Sequence, residues 1–219
     1  MRTDRPVFKG IYGITAAGRS LGRTNIDVVS LMLACGIRII QYREKEKSLG
    51  EMYDECMSLM ALIKDAGGFL IVNDHPSLAL AVEADGVHIG QDDLPLSVVR
   101  TLVGPDMIIG VSTHSPVQAR AAVAQGADYI GVGPIYPTAT KKDVVDAVGL
   151  PYLDWVAANI NLPFVAIGGI KESNLGEVVA HGASCAALVT EITETYDIPA
   201  MIIRLRAIMK AGSTTTCSE

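Results

Sequence analysis

The chain has 219 residues, enough for one large domain or two small ones with a sizeable buried core. Hydrophobic residues make up 49% and charged residues 19%, which excludes a disordered chain, and a net charge of −6 excludes a general binder of nucleic acid or membrane surface, since both need broad basic fields. Cys35, Cys56, Cys185 and Cys217 lack the close pairing of a zinc site and form no disulfide framework, residues 1–9 hold no signal-peptide core, and no run is long enough to span a bilayer; a reduced, cytoplasmic setting is the expectation.

In chain order, strand-like apolar runs are predicted at Ile11–Thr15, Ile37–Arg43, Phe69–Asp74, Gly86–Gly90, Ile108–Ser112, Tyr129–Gly133, Phe164–Gly168 and Cys185–Thr190. Amphipathic helices are predicted at Ile26–Cys35, Leu49–Ala66, Pro76–Ala84, Pro95–Val103, Pro116–Gln125, Tyr152–Asn159, Asn174–His181 and Ile198–Met209. Strand and helix alternating in this way predict a single (β/α)8 TIM barrel, α/β in class, spanning 1–219 with a core of about 10–210 and a polar tail at 211–219. Cys35-Gly36, Ala66-Gly67-Gly68, Gln125-Gly126 and His181-Gly182 read as helix stops before short loops. The Ala84-Asp-Gly and Gly126-Ala-Asp turns read as structural connections at the bottom of the barrel. Residues 138–149 are the longest irregular connection, a candidate lid.

In such a barrel, function collects at the carboxyl ends of the strands. Along the second strand a period of two puts Ile39, Gln41, Arg43 and Lys45 on one face, which starts apolar and ends in two cations. That pattern suits a polyanion, although a solvated strand end also carries such residues. Asn73 and Asp74 end the third strand, Gln91-Asp92-Asp93 follow the fourth, and Ser112 ends the fifth. Carboxylates beside cations on one rim suit Mg²⁺, which takes one or two carboxylates plus substrate phosphates. Asp74 before His75-Pro76 could equally be a helix N-cap. Gly168-Gly169 with Val189-Thr190 fit a phosphate cradle at the last two strands, and a glycine pair could also serve only a tight turn. The histidines have no metal or triad spacing, and His88, inside a strand, reads as packed and hydrogen-bonded.

Six motifs in order, Gln41-Tyr-Arg-Glu-Lys45, Ile71-Val-Asn-Asp74, Val87-His-Ile-Gly-Gln-Asp-Asp93, Gly110-Val-Ser-Thr-His114, Gly131-Val-Gly-Pro-Ile-Tyr-Pro-Thr-Ala-Thr-Lys-Lys-Asp143 and Ala166-Ile-Gly-Gly-Ile170, resemble the thiamine-phosphate synthase family from about Ile11 to Ile208. The resemblance implies condensation of 4-amino-5-hydroxymethyl-2-methylpyrimidine diphosphate with 4-methyl-5-(2-phosphoethyl)thiazole, with release of pyrophosphate. It implies a pyrimidine diphosphate site at Gln41, Tyr42, Arg43, Glu44, Lys45, Asn73, Ser112 and Lys141, of which Arg43, Lys45, Ser112 and Lys141 would be catalytic. It implies one Mg²⁺ per subunit on Asp74 and Asp93, the alignment rather than the sequence choosing Asp93 over Asp92. Thr138, Ala139, Thr140, Gly169, Val189 and Thr190 would meet the thiazole phosphate. Thr190-Glu191, where many relatives have serine then alanine, and Ala139, where an acidic residue can stand, depart from the family pattern. A thiazole-phosphate tautomerase-like barrel and a non-catalytic phosphate-ligand-binding barrel are the alternatives; retention of the cations and aspartates counts against both. The partners implied are small molecules, without nucleic acid or membrane, and a homo-oligomer is compatible with the sequence.

Overall fold

The computed structural model describes residues 5–138 and 146–215. Its strands are β1 (Gly10–Ile11), β2 (Gly13–Ile14), β3 (Ile39–Tyr42), β4 (Phe69–Asn73), β5 (Gly86–Ile89), β6 (Ile108–Thr113), β7 (Tyr129–Val132), β8 (Phe164–Ile167) and β9 (Cys185–Ala187). Its helices are α1 (Asn25–Ala34), α2 (Leu49–Asp65), α3 (Pro76–Ala81), α4 (Leu96–Val103), α5 (Pro116–Ala124), α6 (Gly149–Asn159), α7 (Leu175–Ala180), α8 (Val189–Thr193) and α9 (Ile198–Thr215).

All neighbouring strands are parallel, in the order β1-β9-β8-β7-β6-β5-β4-β3-β2. Only Tyr12 separates β1 from β2, so this order closes on itself. Gly10 and Ile11 pair with Cys185 and Ala186, and Gly13 and Ile14 pair with Ile40 and Gln41. The result is the predicted (β/α)8 barrel. Its first stave is split where it exchanges partners: the Tyr12 N–H donates to Ala186 O at 2.9 Å and the Thr15 N–H to Gln41 O at 3.0 Å.

Inward and outward residues alternate along each strand and form two apolar layers. Inside lie Tyr12, Ile14, Ile39, Ile71, Ile108, Tyr129, Val165, Cys185 and Ala187. Outside, Ile40, Tyr42, Leu70, Val72, Val87, Ile109 and Ile130 pack beneath residues such as Val28, Leu59, Leu78 and Val99 of the helices. The expected glycine stops are present, as at Gly36 after α1, where φ is +80°. The two Asp turns are structural, as predicted. The Asp85 carboxylate accepts the Leu70 N–H and that of Asp128 the Ile109 N–H, each at 2.8 Å, so each fastens the start of the neighbouring strand.

Helices α1 and α2 both begin with a capping box, Thr24 with Asp27 and Ser48 with Glu51. Between them lies a polar cluster centred on Glu55, which accepts from Tyr42 Oη at 2.6 Å, Asn25 Nδ2 at 3.1 Å and Lys47 Nζ at 2.8 Å. Burial works to raise the Glu55 pKa, but these three donors outweigh it and hold the carboxyl below its ordinary value. Glu55→Ala would strand the Asn25 amide and the Tyr42 hydroxyl; since Lys47 can turn to water, we expect a loss of about 2–3 kcal/mol in denaturant unfolding. A depressed carboxyl stabilises the fold above its unfolded pKa. The difference between wild type and variant should therefore be full at neutral pH and shrink below the ordinary glutamate range, about pH 4.

Besides the split first stave, two segments near the carboxyl end of the chain differ from the sequence reading. The last strand ends at Ala187 rather than Thr190, and Val189–Thr190 open the short helix α8. Helix α9 runs on to Thr215, past the expected start of the tail at residue 211.

Candidate active site

The carboxyl end of β3 leads into the segment Arg43–Lys47. Thr15, at the end of the first stave, fixes its start: Thr15 Oγ1 accepts the Arg43 N–H at 2.8 Å and donates to Arg43 O at 3.1 Å. Arg43 is half-buried, and its Nε is buried with no hydrogen-bond partner among the described residues. A buried cationic donor left unpaired is costly and rare, and an anionic ligand would relieve it. Tyr42 and Glu44 do not join Arg43 on the rim. Tyr42 is fully buried in the outer layer with its hydroxyl on Glu55. Glu44 folds back to accept the Lys45 N–H at 2.9 Å and lies 3.6 Å from Lys47 Nζ. Alternation along the strand sends both to the face away from Gln41.

Lys45 reaches across to the next strand, where its Nζ lies 2.5 Å from Asp74 Oδ2. Asp74 is not a helix cap: α3 starts from His75 without any side-chain cap bond. The Asp74 carboxyl instead contacts that of Asp93. Asp93 Oδ2 also accepts the Gly90 N–H at 2.7 Å, while Asp92 is exposed to solvent. The structure thus brings together the aspartate pair that the alignment names. Burial pushes Asp74 up, but the Lys45 ammonium and hydrogen bonds overcome it and its pKa falls. Burial and the Asp74 charge raise that of Asp93 against the pull of the Gly90 N–H. Two carboxylates pressed together, one electron-rich and one inclined to keep a proton, are hard oxygen donors suited to a divalent cation. Among the described residues no group of three or more potential ligands gathers.

Asn73 is buried at the end of β4, and Ser112 lies near the end of β6. Between Ser112 and Gln41 runs a chain of polar groups through the barrel interior that the sequence reading missed. Gln41 Nε2 donates to Tyr12 Oη at 3.1 Å, and Tyr12 Oη lies 2.8 Å from Tyr129 Oη. Tyr129 Oη lies 2.9 Å from His88 Nδ1, and His88 Nε2 lies 2.9 Å from Ser112 Oγ. His88 is therefore packed and hydrogen-bonded, as expected. The signal was present in the inward registers of Tyr12, Gln41, His88 and Tyr129, but only the closed barrel brings Tyr12 of the first stave against Tyr129 of β7. His114, the histidine nearest the rim in sequence, bonds the backbone of Gly133 through Nδ1.

On the far rim, Ile135 N–H donates to Ile167 O at 3.0 Å and Tyr136 N–H to Gly168 O at 2.9 Å, so the loop after β7 lies across the end of β8. Gly169 has φ +64°, and a Cβ there would sit 2.7 Å from Pro137 O, so this glycine is required for the loop to approach. Nearby, α8 presents first-turn N–H groups at Val189 and Thr190, which have no partner within a helix. An extra short helix at this place is a recurrent phosphate site in barrels. Glu191 beside it is neutralised locally: its carboxylate accepts the Glu172 N–H at 2.9 Å and lies 3.5 Å from Lys171 Nζ. Thr138 is half-buried at the end of the described loop; Ala139, Thr140 and Lys141 lie outside the described residues.

No helix among the described residues is long and apolar enough to cross a membrane. The sequence profile of the family described as thiamine monophosphate synthase matches residues 11–192. Thiamine-phosphate synthase of Pelotomaculum thermopropionicum is 61% identical over 199 residues, 91% of each chain. That of Lawsonia intracellularis is 55% identical over 196 residues, 90% of each chain. The solved structure of thiamine phosphate pyrophosphorylase from Pyrococcus furiosus superposes with a TM-score of 0.85 at 32% identity, covering 93% of this chain and 96% of that one. These relatives lend no support to the tautomerase or non-catalytic readings. The chain belongs to the thiamine monophosphate synthase family.

Proposed function

We propose that the protein condenses 4-amino-5-hydroxymethyl-2-methylpyrimidine diphosphate with 4-methyl-5-(2-phosphoethyl)thiazole, giving thiamine phosphate and pyrophosphate. Family membership supports the overall reaction. The observation that carries its assignment to this rim is the meeting of Lys45, Asp74 and Asp93 beside Arg43, whose buried Nε has no partner among the described residues. Asp74 and Asp93 would hold one Mg²⁺, which when bound supplies positive charge against the diphosphate oxygens.

Breaking the carbon–oxygen bond leaves positive charge on the pyrimidine methylene, which the amino-substituted ring can delocalise, and builds negative charge on the leaving group. Arg43 and Lys45 would stabilise that developing charge as preset electrostatics rather than as acids or bases. Lys141 would add a third cation from the loop and help exclude water. Gln41, Asn73 and Ser112 would orient the pyrimidine ring and diphosphate. Gly169, Val189 and Thr190, with Thr138, Ala139 and Thr140, would hold the thiazole phosphate so that the thiazole nitrogen faces the methylene carbon, where proximity supplies much of the remaining rate.

The test is to incubate the protein with both substrates and Mg²⁺ and to follow thiamine phosphate and pyrophosphate. Both should appear in equal amounts and stop on adding EDTA. Substrate binding without pyrophosphate release would overturn the proposal.

A further inference from the structure

The interior chain Gln41–Tyr12–Tyr129–His88–Ser112 joins two residues of the proposed pyrimidine site, and its hydrogens cannot be arranged freely. Gln41 Nε2 can only donate, so Tyr12 Oη accepts from it. Tyr12 is 2% exposed, and the Tyr129 hydroxyl is the acceptor within reach of its own hydrogen. Tyr129 then passes its hydrogen to His88 Nδ1, which leaves the His88 hydrogen on Nε2, directed at Ser112 Oγ. Reversing the Tyr129–His88 end alone would leave one of the two buried tyrosine hydroxyls with nothing to donate to along the chain, at a cost of about 1–3 kcal/mol for a buried group. Reversing the whole chain requires the Gln41 amide to turn over. Burial raises the pKa of both tyrosines, so both remain hydroxyl donors at physiological pH.

We propose that Tyr12, Tyr129 and His88 are positioning residues that fix the hydrogen-bond polarity of the pyrimidine site. They hold Gln41 Oε1 as an acceptor at one end and the Ser112 hydroxyl as a donor at the other, so the site selects a ring bearing an amino donor over its oxo counterpart. This rests on the reaction proposed above. A site that reads one donor through a fixed acceptor rejects an analogue presenting an acceptor there, because two lone-pair groups then face each other in a buried place. A glycine opposite the chain makes room for it: a Cβ at Gly110 would overlap the Tyr129 ring.

The test uses the full chain and Tyr12→Phe and Tyr129→Phe, each of which removes one oxygen, with folding checked by thermal unfolding. The ratio of kcat/KM for the 4-amino pyrimidine diphosphate over its 4-oxo analogue should fall about tenfold or more in each variant. Folded variants that keep the wild-type ratio would overturn the proposal. Independently of turnover, nitrogen NMR of histidine-labelled wild type, with the His88 signals identified by their loss in His88→Gln, should show the Nε2–H tautomer. It should also show that preference weakened in Tyr129→Phe. An Nδ1–H tautomer in the wild type overturns the relay, whereas a wild type with the Nε2–H tautomer that forms no thiamine phosphate overturns the reaction assigned to the site.

Discussion

Asp74→Asn is expected to lower kcat/KM by about a thousandfold, equivalent to roughly 4 kcal/mol of transition-state stabilisation. Asparagine is the informative substitution because Asp74 has φ +62°, a left-handed conformation that Asp and Asn tolerate and alanine does not. The variant therefore keeps the backbone and the side-chain shape while removing the charge. Its loss should be accompanied by a higher Mg²⁺ requirement. The thermal midpoint without Mg²⁺ should hold within a few degrees, because relief of the Asp74–Asp93 repulsion offsets the lost pairing with half-exposed Lys45. Steady-state kinetics across a Mg²⁺ titration checks this. A variant with wild-type kcat/KM would remove Asp74 from the diphosphate site.

Gly110→Ala is expected to damage the fold rather than the chemistry alone. The added Cβ would stand 2.1 Å from the Tyr129 ring carbon that bears the hydroxyl. That ring cannot step aside: Phe8 stacks on it at 4.4 Å, and its hydroxyl is held between Tyr12 and His88. Alanine normally favours a strand over glycine by about 0.5–1 kcal/mol, which is small beside the overlap. Overpacking of this kind costs about 3 kcal/mol, or roughly 6–12 °C in Tm for a chain of this size. A midpoint within a degree of wild type would show that the interior is looser than the structure shows.

Most of the barrel was legible because alternation, helix length and glycine stops agree along the chain. Three features were not. The split at Tyr12 is set by partner exchange between β9 and β3, a tertiary event invisible to local pattern. The apolar run Cys185–Thr190 reads as one strand, yet the chain turns after Ala187 into α8, and short apolar runs do not distinguish strand from helix. The interior relay needs the register of five staves at once. At the site, the period of two separates Tyr42 and Glu44 from Gln41, Arg43 and Lys45, and their positions in the structure follow that period. The sequence also leaves Asp74 open between a helix cap and a rim carboxylate, because both roles use the same residue type after a strand.

The account turns on one diphosphate meeting cations and an aspartate-held metal at the end of β3 and β4. The most direct measurement is a crystal structure with Mg²⁺ and pyrophosphate. The account predicts a single pyrophosphate with Arg43 Nε donating to it and one Mg²⁺ about 2.1 Å from oxygens of Asp74 and Asp93. Pyrophosphate bound elsewhere, or a metal that touches neither aspartate, would contradict it.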